Sequence, residues 1–292
     1  MSQPDTKPVA DLVSVVVPVF NGLPYLRELV ASLLAQDYSP LEIVFSEGGS
    51  TDGSAEYLQT IADPRVRVIT APAGSGAAGN WTHASQAATG DFIKLVCQDD
   101  LLTPDAITRQ AAELQQHPTA VMAIARRDII DARGGTVSKA RGGQGLTPGL
   151  VSGADVIRAC WLQGTNVVGE PVVVLFRHQA LLDAMPWRDA NPLMLDITTY
   201  AAVAPHGDVW VDSASLGAFR VSSSSWSTRL AGVQHAQFKA WQDAYVSTLP
   251  TPPTSRELRQ AARGLTVTTL MRRAAYRWLA LKGALRAPKM PE

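Results

Sequence analysis

The sequence lacks the residues that would place it in several large classes. Only two cysteines occur in 292 residues, Cys97 and Cys160, far apart in the chain. That excludes a disulfide-stapled scaffold and a multi-cysteine zinc site, and it fits a reducing cytoplasm. The five histidines are scattered without metal-ligand spacing. Net charge is absent: 26 Lys and Arg balance 26 Asp and Glu, so no nucleic-acid partner is expected. No apolar run approaches the roughly 18 residues that span a bilayer. The longest, Leu12–Phe20 and Pro171–Phe176, have strand length, and Met1–Pro8 has no signal-peptide core. The chain also contains no internal repeat, no G-x-S-x-G elbow and no G-x-x-x-x-G-K-[ST] loop, which excludes the common serine-hydrolase and P-loop patterns.

Against these absences, 46% of the residues are apolar, enough for a sizeable core. Val13-Ser14-Val15-Val16-Val17 reads as a strand buried on both faces. Pro18 stops it, Asn21-Gly22 is turn chemistry, and Leu26, Leu29, Val30, Leu33 and Leu34 give helical spacing over Pro24–Ala35. Strands at Leu41–Phe45, Val66–Thr70 and Phe92–Cys97 alternate with helices at Ser54–Ile61 and Asn80–Ala88. Such alternation up to about residue 115 predicts an α/β fold with a mostly parallel, doubly wound sheet. Ligands of open α/β sheets bind at the carboxyl edge of the strands. Beyond it, Asp131–Gly153 is glycine-rich and reads as a long mobile loop. A helix over Ser152–Leu162, a strand at Val172–Phe176, a helix over Leu193–Val203 and short strands at Val209–Val211 and Ala218–Val221 follow. Thr254 and Glu257 have capping-box spacing for a last helix. From Arg256 to Glu292 there are nine basic residues and two acids, a net of +7.

Three turns on the carboxyl edge carry chemistry. Gly74-Ser75-Gly76-Ala77-Ala78-Gly79 is a literal G-x-G-x-x-G with Asp99 twenty residues on, so an NAD-dependent oxidoreductase is one reading. It is not the sheet's first strand–helix unit, and two acids rather than one end the next strand, so a turn lining another nucleotide site is preferred. Gln98-Asp99-Asp100 pairs two carboxylates, whose repulsion a hard cation such as Mg2+ or Mn2+ would relieve. A structural role, capping the next helix, weighs equally for these acids taken alone. Glu47, at a strand end before Gly48-Gly49-Ser50-Thr51-Asp52-Gly53, can accept a hydrogen bond from a pyrimidine ring N–H.

Val15-Val16-Val17-Pro18-Val19-Phe20-Asn21-Gly22, Leu33–Gln36, Glu42-Ile43-Val44 and Gly49-Ser50-Thr51-Asp52-Gly53 resemble the opening of family 2 glycosyltransferases. Gly79-Asn80-Trp81, Gly90–Leu95, Gln98-Asp99-Asp100, Val168-Gly169-Glu170-Pro171, Leu175-Phe176-Arg177 and Gly217-Ala218-Phe219-Arg220-Val221 continue the series in order. The resemblance covers roughly residues 12–228. It implies the GT-A nucleotide-diphospho-sugar transferase fold and an inverting, non-processive sugar transfer from a UDP- or dTDP-sugar to a glycan or lipid-linked acceptor, assisted by Mn2+ or Mg2+. It places Pro18, Phe20, Asn21, Glu47, Asn80, Gln98 and Asp99 at the nucleotide and Asp99 with Asp100 at the metal. Cys97 departs from the family's first acidic metal position, Gly79 stands where many members have arginine, and Ser222 where some have histidine. These departures keep a non-catalytic sugar-nucleotide-binding protein of the same fold as a further alternative.

Inversion needs a carboxylate that takes the acceptor's proton. Asp183, Asp189, Asp196 and Glu170 are candidates. The resemblance favours Asp196, and its apolar neighbours would raise its pKa. Glu170, Arg177 and Trp226 are expected on the acceptor side. The expected organisation is a flexible N-terminus (1–11), a catalytic domain (12–228, divided at 115/116 into nucleotide and acceptor halves) and a C-terminal helical extension (229–292). In that extension Met271, Ala274, Trp278, Leu281 and Leu285 form an apolar stripe with Arg272, Arg273 and Arg277 largely opposite. Packing on the catalytic domain or homodimerisation is favoured over contact with an anionic membrane. The expected location is the cytoplasm or the inner face of the cell membrane.

Overall fold

The computed structural model describes residues 8–188 and 190–286. Strands and helices alternate first: β1 (Val9–Val19), α1 (Leu26–Leu34), β2 (Leu41–Glu47), α2 (Ser54–Gln59), β3 (Val66–Thr70), α3 (Gly76–Gln86), β4 (Gly90–Leu95), β5 (Leu101–Leu102) and α4 (Ala106–Gln116). The second half adds β6 (Ala120–Asp131), β7 (Thr136–Arg141), β8 (Gly149–Ser152), α5 (Gly153–Gln163), β9 (Val174–Arg177), α6 (His178–Asp183), α7 (Leu195–Val203) and β10 (Asp208–Val221). Helices α8 (Trp226–Arg229), α9 (Gln234–Val246) and α10 (Ser255–Leu281) close the chain.

All ten strands join one sheet in the order β3-β2-β1-β4-β9-β6-β10-β5, with β7 on β6 and β8 on β10. The neighbours β3, β2, β1 and β4 are parallel. β9 is antiparallel to both β4 and β6, and β10 is parallel to β6. Strands β1, β2, β3, β4, β6 and β10 therefore share one carboxyl edge, and the reversed β9 ends on the opposite edge.

The strand period of two divides β1 between the faces. Val13, Val15, Val17 and Val19 pack with Leu26, Leu29, Val30 and Leu33 of α1 and Ile107 and Leu114 of α4. Val16 faces the other core, with Ile157, Tyr200, Phe238, Trp241, Ala261 and Leu265. Full burial of one such leucine stabilises the fold by about 1.5–3 kcal/mol. The C-terminal helices thus share a core with the sheet. β1 already begins at Val9, inside the stretch expected to be flexible.

Two expectations are corrected. Residues 131–153 are not a long loop: β6 runs to Asp131, turns at Gly134 and returns as β7, and β8 pairs β10. β7 is an exposed edge strand with no buried residue, so it shows no apolar alternation in sequence. The two short strands around residues 209–221 are one strand, whose register shifts between Val211 and Gly217 break its pattern. The capping box of α10 is present: Thr254 Oγ1 accepts from Glu257 N at 3.3 Å while Glu257 Oε2 accepts from Thr254 N at 2.8 Å. Such a cap contributes about 1 kcal/mol. Gly164, with φ +61°, ends α5 where the α10 backbone at Leu265 leaves no room for a Cβ.

Candidate active site

One side of the site is built from the ends of β1, β2 and β4. Gln98 clamps Phe20, its Oε1 accepting from Phe20 N at 2.8 Å and its Nε2 donating to Phe20 O at 2.9 Å. Phe20 itself is 58% exposed beside it. Asn21, at φ 50°, donates through its backbone N–H to Ser50 Oγ at 2.9 Å, and its Oδ1 accepts from Thr51 N at 2.8 Å. Asp52 and Ser54 accept from Leu23 N and Gly22 N. The turns after β1 and β2 are thus one hydrogen-bonded unit.

Glu47 ends β2. Burial raises its pKa, but hydrogen bonds from Ser50 and Gly49 outweigh burial and leave it below the ordinary value. Its Oε2 accepts from Gly49 N at 2.9 Å and its Oε1 from Ser50 N at 2.6 Å, so it is held as an ionised acceptor. Asn80 is buried, donating to Ser46 O at 3.1 Å and Val19 O at 3.3 Å, while its Oδ1 has no partner. Pro18 is buried in the strand end, paired with Ser46.

Asp99 and Asp100 lie past the end of β4. Asp99 is partly exposed and Asp100 fully buried. Burial raises the Asp99 carboxyl, and burial with the neighbouring Asp99 charge raises Asp100 well above its ordinary value. Arg220, itself fully buried, holds this turn. Its backbone N donates to Asp100 Oδ1 at 3.1 Å, its Nε to Asp99 O at 2.9 Å and its Nη2 to Glu28 Oε2 at 2.7 Å. Asp100 Oδ2 has no partner. Ser222 is fully buried and bonded to Ser224 and Ser225, and Ser225 in turn lowers the Asp99 pKa through a hydrogen bond.

Across the cleft, Asp196 sits in the first turn of α7, partly exposed. Its Oδ2 accepts from Asn166 Nδ2 at 2.8 Å and its Oδ1 from Ile197 N at 2.7 Å. Burial is the largest influence on it. The Glu170 charge adds to burial, the two hydrogen bonds oppose it, and the carboxyl is raised to about 7. Glu170 forms a two-point ion pair with the buried Arg127 of β6. The Tyr200 hydroxyl is buried without a partner, and the charges of Asp196 and Glu170 help burial keep it protonated. Arg272 of α10 donates to Thr165 Oγ1 at 2.8 Å and pulls the Asp196 pKa down slightly.

Cys97 links the two sides: burial and the charges of Asp100, Asp99, Asp196 and Glu170 push its thiol well above the ordinary value. A protonated thiol is a poor ligand for a hard cation. Among the described residues no three His, Cys, Asp or Glu side chains gather as a metal cage.

Not every expected residue comes to this edge. Arg177 ends the reversed β9, where its guanidinium donates to Leu114 O at 2.8 Å and Ala120 O at 3.1 Å. It satisfies a carbonyl near the end of α4 and one at the start of β6, on the edge opposite the site. Asp183 is exposed on α6, which follows that strand, and Asp189 lies outside the described residues. Trp226 is 40% exposed at the start of α8. The Gly74–Gly79 turn runs into α3, which starts at Gly76. Sequence reasoning missed Arg127, Asn166, Tyr200 and the inward face of α10. Only Arg127 left a signal, a charge in a strand whose first six residues are apolar.

The described residues include no helix long and apolar enough to cross a membrane. A family model described as "Glycosyl transferase family 2" matches residues 14–169, more than half of the chain. Glycosyltransferase GlyG of Streptococcus pneumoniae is 34% identical over 110 residues, 37% of this chain and 36% of GlyG. The matched stretch spans between 14% and 40% of the length of this and two further curated relatives. The structure of S. aureus TarS 1-349 in complex with UDP-GlcNAc superposes with a TM-score of 0.62 at 17% identity, covering 87% of this chain and 71% of that one. The mannosyltransferase PcManGT from Pyrobaculum calidifontis, in complex with GDP-Man and Mn2+, gives 0.61 at 16% identity, covering 97% and 77%. At these identities the two structures speak for the fold. The ordered match across β1 to Gly169 speaks for more than fold: the chain belongs to glycosyl transferase family 2.

Proposed function

We propose that this protein transfers a sugar, with inversion, from a UDP- or dTDP-sugar to a hydroxyl of a glycan or lipid-linked acceptor, with Asp196 as general base. The observation that carries the proposal is the Asp196 carboxyl: reachable at the cleft, oriented by Asn166 and raised to about 7. A base with that pKa is half ionised at neutral pH, where general-base catalysis is most effective.

In this reading Glu47 accepts the pyrimidine N–H and Phe20 covers the base. The acceptor oxygen attacks the anomeric carbon as its proton passes to Asp196. The bond between that carbon and the diphosphate oxygen breaks, and the electron pair leaves with the nucleoside diphosphate. The oxygen donors fit a hard cation sparingly: Asp99 offers one accessible carboxylate and Asp100 Oδ2 lies behind it without a partner. Mn2+ or Mg2+ held at Asp99 would neutralise charge on the departing diphosphate. Arg127 keeps Glu170 paired, so that Asp196 is the carboxylate left to take the proton. TarS, whose structure holds UDP-GlcNAc, supports a uridine donor by likeness.

Thermal unfolding with UDP, dTDP, GDP or NAD, each with and without Mn2+, tests the donor side. Stabilisation by UDP or dTDP that requires Mn2+ and vanishes in Asp99→Ala is expected. A shift with NAD alone, or with none of the pyrimidine diphosphates, would refute it. Nucleotide binding without turnover of any donor would leave a sugar-nucleotide-binding protein.

A further inference from the structure

We propose that the outward face of α10 docks on an anionic lipid surface. The helix has two unlike faces. Ala261, Leu265 and Leu279 are buried, and Arg272 and Tyr276 are half-buried beside them. On the opposite side Val267, Leu270, Met271, Trp278 and Leu281 are 45% to 88% exposed. Taken with the exposed Ala274, these side chains fall within an arc of about 100° at 3.6 residues per turn. The face expected to pack on the catalytic domain therefore points away from it. Most of the exposed large apolar residues of the described chain belong to this one helix.

The charge around the stripe selects its occupant. From Leu258 to Arg286 there is no acid, and Arg259, Arg263, Arg272, Arg273, Arg277, Lys282 and Arg286 are basic. All but Arg272 are exposed, and among the described residues none of the seven is in an ion pair. Arg273 and Arg277 flank the stripe on one side and Lys282 on the other. A second copy meeting this face through a two-fold axis would bring like charges together with no acid between them. An anionic surface matches both the cations and the apolar stripe, and tryptophan is favoured at the depth where lipid meets water.

The placement of α10 gives this surface a consequence. Past the helix end, Ala284 O accepts from Ala132 N at 3.0 Å and Leu285 O accepts from Ser223 N at 2.8 Å. Arg272 and Tyr276 face Thr165 and Ser227 on the Asp196 side of the cleft. One helix thus carries the cleft wall on one face and the docking stripe on the other. A docked protein holds its acceptor side one helix thickness, about 10 Å, from the lipid surface. The docking itself stands whether or not sugar transfer is the reaction.

Flotation with phosphatidylcholine vesicles, with and without phosphatidylglycerol, tests it on the full chain. Binding is expected only with phosphatidylglycerol, and it should weaken as salt rises. Arg273→Glu with Arg277→Glu should reduce binding by about tenfold or more, since each basic residue contributes separately. Arg273→Lys with Arg277→Lys should keep it. Leu270→Ser with Leu281→Ser, both at exposed positions, should lose it with an unchanged melting temperature. Equal binding to neutral vesicles, or none to either, overturns the proposal. So does a concentration-dependent dimer that the two serine substitutions abolish, because the face then belongs to a second copy.

Discussion

The turns on one side of the site and the carboxylates on the other are held in different ways. On the proposed donor side the turn groups are satisfied within the chain: Gln98 by Phe20, Asn21 by the Ser50–Thr51 turn, Glu47 by the backbone of Gly49 and Ser50. Past them Asn80 Oδ1 and Asp100 Oδ2 have no partner, and burial raises the Asp99 and Asp100 carboxyls. On the acceptor side the groups are held against their ordinary preference, with Asp196 raised to about 7 and the Tyr200 hydroxyl buried without a partner. A satisfied wall is preorganised to bind, since little must be ordered when a ligand arrives. A strained wall can take a proton because its carboxylate gains from losing its charge. On the proposed function, binding and reactivity should therefore be separable, each removable without the other.

The largest effect is expected at Asp196. Asp196→Asn should lower turnover by roughly a thousandfold while nucleotide affinity stays within about twofold, read by kinetics and calorimetry. If Asp196 is the base, as proposed, wild-type turnover should rise as pH passes about 7, where its carboxyl ionises. Stability should move the other way. An unfolded aspartate loses its proton near 3.8 and the folded one near 7. The folded state binds more protons between these values, so stability falls as pH rises through that window. Asp196→Asn lacks this fall and should melt higher than wild type at pH 8. A melting temperature unchanged at pH 8, with turnover intact, would show that another group is the base.

Arg127→Ala sharpens the contrast at the next scale. It leaves Glu170 half-buried and unpaired beside Asp196. Stability should drop by about 3 kcal/mol, the loss expected when one partner of a buried pair is removed. The midpoint of the pH–turnover profile should move above its wild-type value, because Glu170 then acts on Asp196 without its counter-charge. A lower rate with an unmoved midpoint would make Arg127 structural only.

The two walls were unequally legible in sequence. The donor wall comes from consecutive strand–turn–helix units, so local pattern found β1, β2, β3 and β4 within a few residues and placed Glu47 and Asp99 at strand ends. The acceptor wall is assembled from β6, the turn before β9, α7 and α10, which are distant in sequence. Asp196 was reached through family likeness. Arg127 and Arg272 were not assigned to the site, because an arginine's ion-pair partner or the face it lines is set by tertiary packing. Arg177 misled for the same reason: nothing local shows that β9 runs backwards and carries its end to the far edge. The hairpin of β6 and β7 was hidden because an exposed edge strand need not alternate.

The smallest expected effect tests the donor wall itself. Gln98 spends both ends of its amide on Phe20. Gln98→Ala removes two hydrogen bonds that fix the end of β1, each contributing about 1 kcal/mol. Phe20 is solvent-exposed, so its freed N–H and C=O can turn to water and the fold should survive. What is lost is preorganisation: the loop must then be ordered when nucleotide binds. UDP affinity should fall by about tenfold, while turnover at saturating donor stays near wild type. The melting temperature should drop by only a few degrees for a chain of this size. If turnover fell and affinity held, the clamp would act on the reaction and the separation between the two walls would fail.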